Sequence, residues 1–200
     1  MYHHFRILFF IFLPVFAGAC VKAPPKTAAP LAPPRFQSLS SFVQVRVDAK
    51  GKRESFDAAL LIRAPDKLRI EILDDLGQVV SRLVADGSQV LWHRPIDREY
   101  MLLTQDEKTL RKTLRLPLSV ESFIHGMLLG ESSEGSGRYR VSYESQSFGS
   151  GAYPETIVWE FLKPKATLRL VMLEPNTRAA PALEKFDTAP PPDAVATKFH

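Results

Sequence analysis

Period-two alternation of apolar and polar residues dominates the chain from Phe42 to Leu103. Val43, Val45 and Val47 share one face before "AKGK" turns the chain; Phe56, Ala58, Leu60 and Ile62 then share a face against Ser55, Asp57 and Arg63. Leu68, Ile70 and Ile72 alternate with Arg69 and Glu71, and "DDLG" makes the next turn. Successive side chains of a strand point to opposite sides, so this spacing predicts strands with one apolar face. Residues 78–85 continue as a strand with mixed faces, and "DGS" closes a hairpin. The short runs "QVLWH" and "YMLL" complete six strands with tight connections, the pattern of an antiparallel meander.

The period then changes. Thr104, with Glu107 three residues on, reads as a capping box that opens a helix from Gln105 to about Leu114, with Leu110 and Leu114 on one stripe and Pro117 ending it. Ser119 caps a second helix in which Val120, Phe123, Ile124, Met127 and Leu128 recur at helical spacing, and Gly130 supplies the stop. Alternation resumes after "ESSEGSG": Tyr139, Val141 and Tyr143; then Ile157, Trp159 and Phe161; then, past "KPK", Leu168, Leu170 and Met172. Leu183 to Phe186 reads as a last short edge strand. The fold class expected is α+β, mainly antiparallel β: an incomplete, strongly curved barrel whose concave side is covered by lid helices. Apolar faces of this kind serve equally for a filled core or for the wall of an empty cavity, and the pattern alone leaves the two open.

Both ends lie outside this domain, which is placed at residues 36–188. Ile7 to Phe16, "ILFFIFLPVF", follows a short basic start. This run is too short for the ~20 residues of a membrane-spanning helix and matches a secretory hydrophobic region, so residues 1–19 read as a signal peptide. Cys20, the single cysteine of the chain, comes directly after "AGA" and leaves no intrachain disulfide possible. Residues 20–35 comprise this cysteine and a proline- and alanine-rich tether, of which 21–34 reads as a semi-rigid spacer of about 40 Å. The proline-rich end, 189–200, reads as a disordered tail.

With 200 residues, 45% of them hydrophobic, the chain holds one ordinary domain plus these appendages. Its net charge of +4 comes from Lys and Arg scattered among Asp and Glu, which gives a nucleic-acid reading no support. The histidines, His3, His4, His93, His125 and His200, have no metal-ligand spacing, and no G-x-S-x-G, phosphate-loop or H-E-x-x-H pattern occurs. No enzymatic activity, metal or cofactor is expected. The oddity is Leu76, a large apolar residue between Asp75 and Gly77, where turn chemistry prevails.

The order of these features resembles the LolA/LolB lipoprotein-localisation superfamily, and LolB-like outer-membrane lipoproteins in particular. The resemblance rests on "RAPDKLRIEILDDLGQ", "ADGSQVLWH" and "LPLSVESFIHGMLLG", and on Cys20 in the place of a lipobox cysteine; it covers roughly Phe42 to Phe186. It implies that Cys20 becomes the acylated mature N-terminus, with Val21 after it suggesting release toward the outer membrane. The protein would then be exported and lipid-anchored to the outer membrane, facing the periplasm. It implies a hydrophobic cavity for the acyl chains of other lipoproteins, for which the apolar-face residues Val45, Leu60, Ile62, Ile70, Ile72, Trp92, Leu110, Phe123, Ile124, Met127, Trp159, Phe161 and Leu170 are the candidates. Leu76 falls where the family's "PLG" turn carries a membrane-inserting leucine, with Asp75 standing in place of the proline. The partners implied are the outer-membrane bilayer, lipoprotein cargo and a LolA-like periplasmic carrier, with the protein a monomer. Alternatives are a lipid-binding or lipid-shuttling envelope lipoprotein, or a structural one that docks a partner and has no cavity.

Overall fold

The computed structural model describes residues 35–106, 118–129, 139–144, 153–162 and 165–197. Six strands follow one another as the alternation predicts: β1 (Ser38–Ala49), β2 (Lys52–Arg63), β3 (Lys67–Leu73), β4 (Val79–Asp86), β5 (Gln89–Arg94) and β6 (Glu99–Thr104). The helix α1 (Val120–Met127) intervenes, and β7 (Tyr139–Glu144), β8 (Thr156–Leu162) and β9 (Lys165–Asn176) complete the long strands. A 3-10 turn (Leu183–Phe186) and β10 (Val195–Ala196) follow. All ten strands form one sheet in the order β10-β6-β5-β4-β3-β2-β1-β9-β8-β7. The meander β1 to β6 thus lies on one side of β1, and β9, β8 and β7 return on the other, every pair antiparallel except β10 beside β6.

The helix α1 sits on the concave face. Ser119 caps it as expected, its Oγ accepting from the Ser122 amide at 3.1 Å, and Val120, Ile124, Met127 and Leu128 are buried. The far end is held by two tyrosines: Tyr143 donates to the Gly126 carbonyl at 2.9 Å, and Tyr153 donates to the Met127 carbonyl. With the Leu129 amide, which also donates to the Gly126 carbonyl at 3.2 Å, they satisfy carbonyls of the last helical turn. Burial pushes the Tyr143 hydroxyl up to about 12 and the Tyr153 hydroxyl higher still, so both remain donors. Close approach is permitted by Gly126, where an added Cβ would lie 2.4 Å from the Trp159 ring. That ring has no room to yield, packed against Phe123 at 5.8 Å and Tyr139 at 5.3 Å between centroids. Gly126→Ala is therefore expected to destabilise by about 1–3 kcal/mol despite alanine's higher helix propensity, read as a lower denaturant midpoint.

The convex face is covered too, and this departs from the sequence reading. Residues 189–197 are not a loose tail, and Leu183–Phe186 is a 3-10 turn, not an edge strand. The segment after β9 crosses the convex face and ends beside β6. Phe186 packs into a cluster with Val84 and Leu91, flanked by Leu61 and Tyr100. Arg63 and Arg69 donate to the carbonyls of Pro181 and Lys185, and the amides of Val195 and Thr197 donate to Arg98 and Tyr100 at 2.8 Å. The mixed faces of β4 follow from this: Leu83 and Ala85 face the concave side, and Val84 needs a cover on the other. Proline-rich composition removed backbone donors without removing Phe186 or the strand pairing.

Asp86 locks the segment down. Its carboxylate accepts from the amides of Ser88 and Gln89, from the Ser88 hydroxyl, and from Thr188 Oγ1 at 2.7 Å. Burial pushes this carboxyl up, and the hydrogen bonds outweigh it, holding the group at about 2. With the folded carboxyl near 2 and an unfolded one near 3.8, the contribution is complete above about pH 4 and disappears as pH falls toward 2. Allowing for solvent screening, it amounts to about 1 kcal/mol. Asp86→Asn is expected to flatten the loss of stability over this acid interval, measured by denaturant unfolding at successive pH values.

Candidate functional site

Along each strand of the concave face, one end belongs to a filled core and the other to a cavity. In β2, Ile62 is fully buried under α1, Leu60 lies between, and Phe56 lines open space; in β3 the series is Leu68, Ile70 and Ile72. The same progression runs from Leu39 to Val47 in β1, from Ala85 to Ser81 in β4 and from Ile157 to Phe161 in β8. The helix has eight residues and the first two strands twelve each, so α1 fills only part of the trough. The remainder is a cavity of about 380 Å³, within the ~300–1,000 Å³ of sites for small apolar ligands.

Its walls are almost wholly aliphatic and aromatic, with Leu118, Val120 and Phe123 on the helix side and Leu83, Trp92, Phe161, Leu168 and Leu170 on the sheet. Ser81, Trp92 and Ser119 are engaged with each other or at the helix cap. Trp92 Nε1 donates to Ser81 Oγ at 3.0 Å, and Ser119 Oγ is occupied at the helix cap. Such a surface offers little to a polar substrate, and it gains free energy from any apolar chain that replaces water.

Of the candidates, Val45, Leu60, Ile70, Ile72, Trp92, Phe123, Phe161 and Leu170 line the cavity. Ile62, Ile124, Met127 and Trp159 do not; each is at most 1% exposed and belongs to the packed core beneath α1. The reason is their height on the strand or helix, which alternation cannot encode. Leu110 and most of the first expected helix lie outside the described residues. Residues 104–106, where that helix was expected to open, are not helical: Thr104 ends β6 and its Oγ1 donates to Asp106, while the Gln105 amide donates to the Ser88 carbonyl and its side chain accepts from the Gly87 amide. Val43, Val47, Phe56, Leu83, Ala166 and Leu168 also line the cavity and were not singled out. For Val43, Val47, Phe56 and Leu168 the signal was present in the same period-two faces, whereas Leu83 lies on the strand whose faces are mixed.

Leu76 stands at the tip of the β3–β4 turn, 81% exposed. Asp74 builds the turn: its Oδ1 accepts from the amides of Leu76 and Gln78 at 2.9 and 2.8 Å, and its carbonyl accepts from Gly77, which takes φ +76°. The carboxylate thus ties down the backbone on both sides and leaves the leucine side chain in water. Cys20 lies outside the described residues. Among the described residues no helix is long and apolar enough to cross a membrane, and no cluster of His, Cys, Asp or Glu is placed to hold a metal ion.

No protein-family model matches the chain, and no curated protein matches it. Solved structures do. A DUF1329 family protein from Desulfovibrio piger aligns over 76% of this chain and 90% of its own, with a TM-score of 0.52 at 8% identity. A LolA superfamily protein from Nitrosomonas europaea aligns over the same shares, with a TM-score of 0.47 at 12% identity. At such identity the first of these likenesses speaks for the fold, an open and curved antiparallel sheet, and for nothing further.

Proposed function

We propose that this protein is a lipid-anchored envelope lipoprotein that takes acyl chains of other lipoproteins into its cavity and helps insert them into the outer membrane. The observation that carries the reading is the cavity: about 380 Å³ of space lined almost wholly by aliphatic and aromatic side chains, with Trp92 Nε1 bound to Ser81 and Ser119 Oγ held at the helix cap. Taking a methylene to be near a water molecule in size, ~30 Å³ in the liquid, this is room for about a dozen methylenes, the better part of one acyl tail. The motifs that resemble LolB-like proteins support the same reading, with Cys20 as the anchor and Leu76 as the tip that meets the bilayer. No enzymatic step is invoked. Passage from a soluble periplasmic carrier runs on differential affinity for the chain, without a nucleotide or metal.

Depletion of the protein in its own host, followed by membrane fractionation, tests this directly. Other lipoproteins are expected to leave the outer-membrane fraction and accumulate elsewhere; unchanged distribution would count against the proposal. Mass spectrometry of material copurifying with the protein separates lipoprotein acyl chains from free lipids, the second of which would favour a lipid shuttle.

A further inference from the structure

Leu76, Val195 and Ile96 are the three most exposed large apolar side chains among the described residues, at 81%, 69% and 66%. The sheet gathers them at one corner. Glu71 faces Arg82, Arg82 faces His93, and His93 faces Tyr100, so the β3–β4 turn with Leu76 and the β5–β6 turn with Ile96 project past the same level. These neighbouring hairpins stand about 10 Å apart, two strand spacings. Val195 completes the group: β10 pairs it with Glu99, and its amide donates to the Arg98 carbonyl at 2.8 Å. Arg98 is itself exposed. The cavity reaches this same end, since Ile72, Ser81 and Trp92 on β3, β4 and β5 are among its walls.

We infer that the Leu76–Ile96–Val195 corner is a three-point foot that seats the cavity end of the sheet on a lipid bilayer, with Ile96 and Val195 entering the acyl region beside Leu76. The inference deepens the proposed function and rests on its reading of Leu76. Three side chains on separate tips bury far less than the ~1,000 Å² a specific protein interface needs, whereas a bilayer accepts isolated apolar protrusions without a matching shape. The sequence before β1 is consistent with this occupant. Ser38 starts β1 at the end opposite the tips, and β1's twelve residues span about 40 Å. The fourteen residues 21–34 reach about 43 Å at ~3.1 Å each, just enough for a chain anchored at Cys20 to pass back along the sheet to the membrane under the foot.

The test uses the processed full-length protein in vesicles of phosphatidylethanolamine and phosphatidylglycerol. Leu76→Cys, Ile96→Cys and Val195→Cys each carry a polarity-sensitive fluorophore, Ser88→Cys in the β4–β5 turn marks the opposite end, and the unsubstituted chain is the labelling blank. Quenching by brominated acyl chains is expected to be several-fold stronger at 76, 96 and 195 than at 88. Signals at 96 and 195 equal to that at 88 overturn the inference, whether or not 76 is quenched. Uptake of an apolar dye by the same variants reports on the cavity independently, so its failure removes the proposed function without imitating a failure of the foot.

Discussion

Ile70→Trp is expected to abolish uptake of an apolar fluorescent probe while leaving the protein as stable as the parent or more so. Ile70 lies between Leu60 and Leu83 across the sheet, and its side chain lines the cavity instead of packing beneath α1. An indole there occupies space that the parent leaves open, so the usual cost of overpacking, about 1–3 kcal/mol, is not incurred. It adds apolar burial at roughly 25 cal/mol per Å². Probe affinity should fall by about a hundredfold or more, since losing ~1.4 kcal/mol of contact costs a factor of ten and a blocked cavity loses several such contacts. The contrast is with Ile62→Ala on the neighbouring strand β2, opposite Leu68 in the packed region, where a new void costs about 2–5 kcal/mol. Fluorescence titration and denaturant unfolding of the two variants check this together. Full probe binding by Ile70→Trp would mean that the open space is not the binding site.

Leu76→Glu is expected to leave folding intact and to abolish delivery of lipoproteins into membranes. The side chain is 81% exposed, and the turn beneath it is held by Asp74, which the substitution does not touch. The change in unfolding free energy should stay within about 0.5 kcal/mol. At a bilayer the balance differs: a leucine entering acyl chains gains about 1.5–3 kcal/mol, and a carboxylate gains nothing and resists entry. The loss corresponds to at least about tenfold in membrane contact. Delivery measured with purified carrier, cargo and vesicles checks it. Normal delivery by a folded Leu76→Glu protein would remove the leucine from the mechanism.

Six strands of the meander and the capped helix were legible because each is written in local spacing, whereas the exposure of Leu76 was implied only by the family resemblance. Val43 to Val47, Phe56 to Ile62 and Leu68 to Ile72 name their own faces, and Ser119 names the start of α1. The entry at Phe36 to Ser41 was less legible. Ser38, Leu39 and Ser41 are buried at the start of β1 although two of the three are serines, and Ser41 Oγ is satisfied by the Leu173 carbonyl at 2.9 Å. Such a partner, 132 residues distant in the chain, has no local signature. The C-terminal segment misled for a related reason. Composition there argues against a self-contained element, and none forms; what orders it is Phe186, Thr188 and Val195 finding partners on a face that β4 and β6 had already built.

By itself the sequence determined which side of each strand is apolar, where helix α1 begins, and that a leucine stands among turn residues, because these depend on periods and caps spanning a few residues. Only the tertiary structure decided how far α1 reaches across the trough, and hence that Ile62 and Trp159 are core while Ile70 and Phe161 face open space. It alone brought Val195 beside Arg98, at the corner that carries Leu76 and Ile96. Filled and empty volumes are bounded by identical apolar faces, and what separates them is the distance between elements remote in the chain, a quantity no local pattern of residues contains.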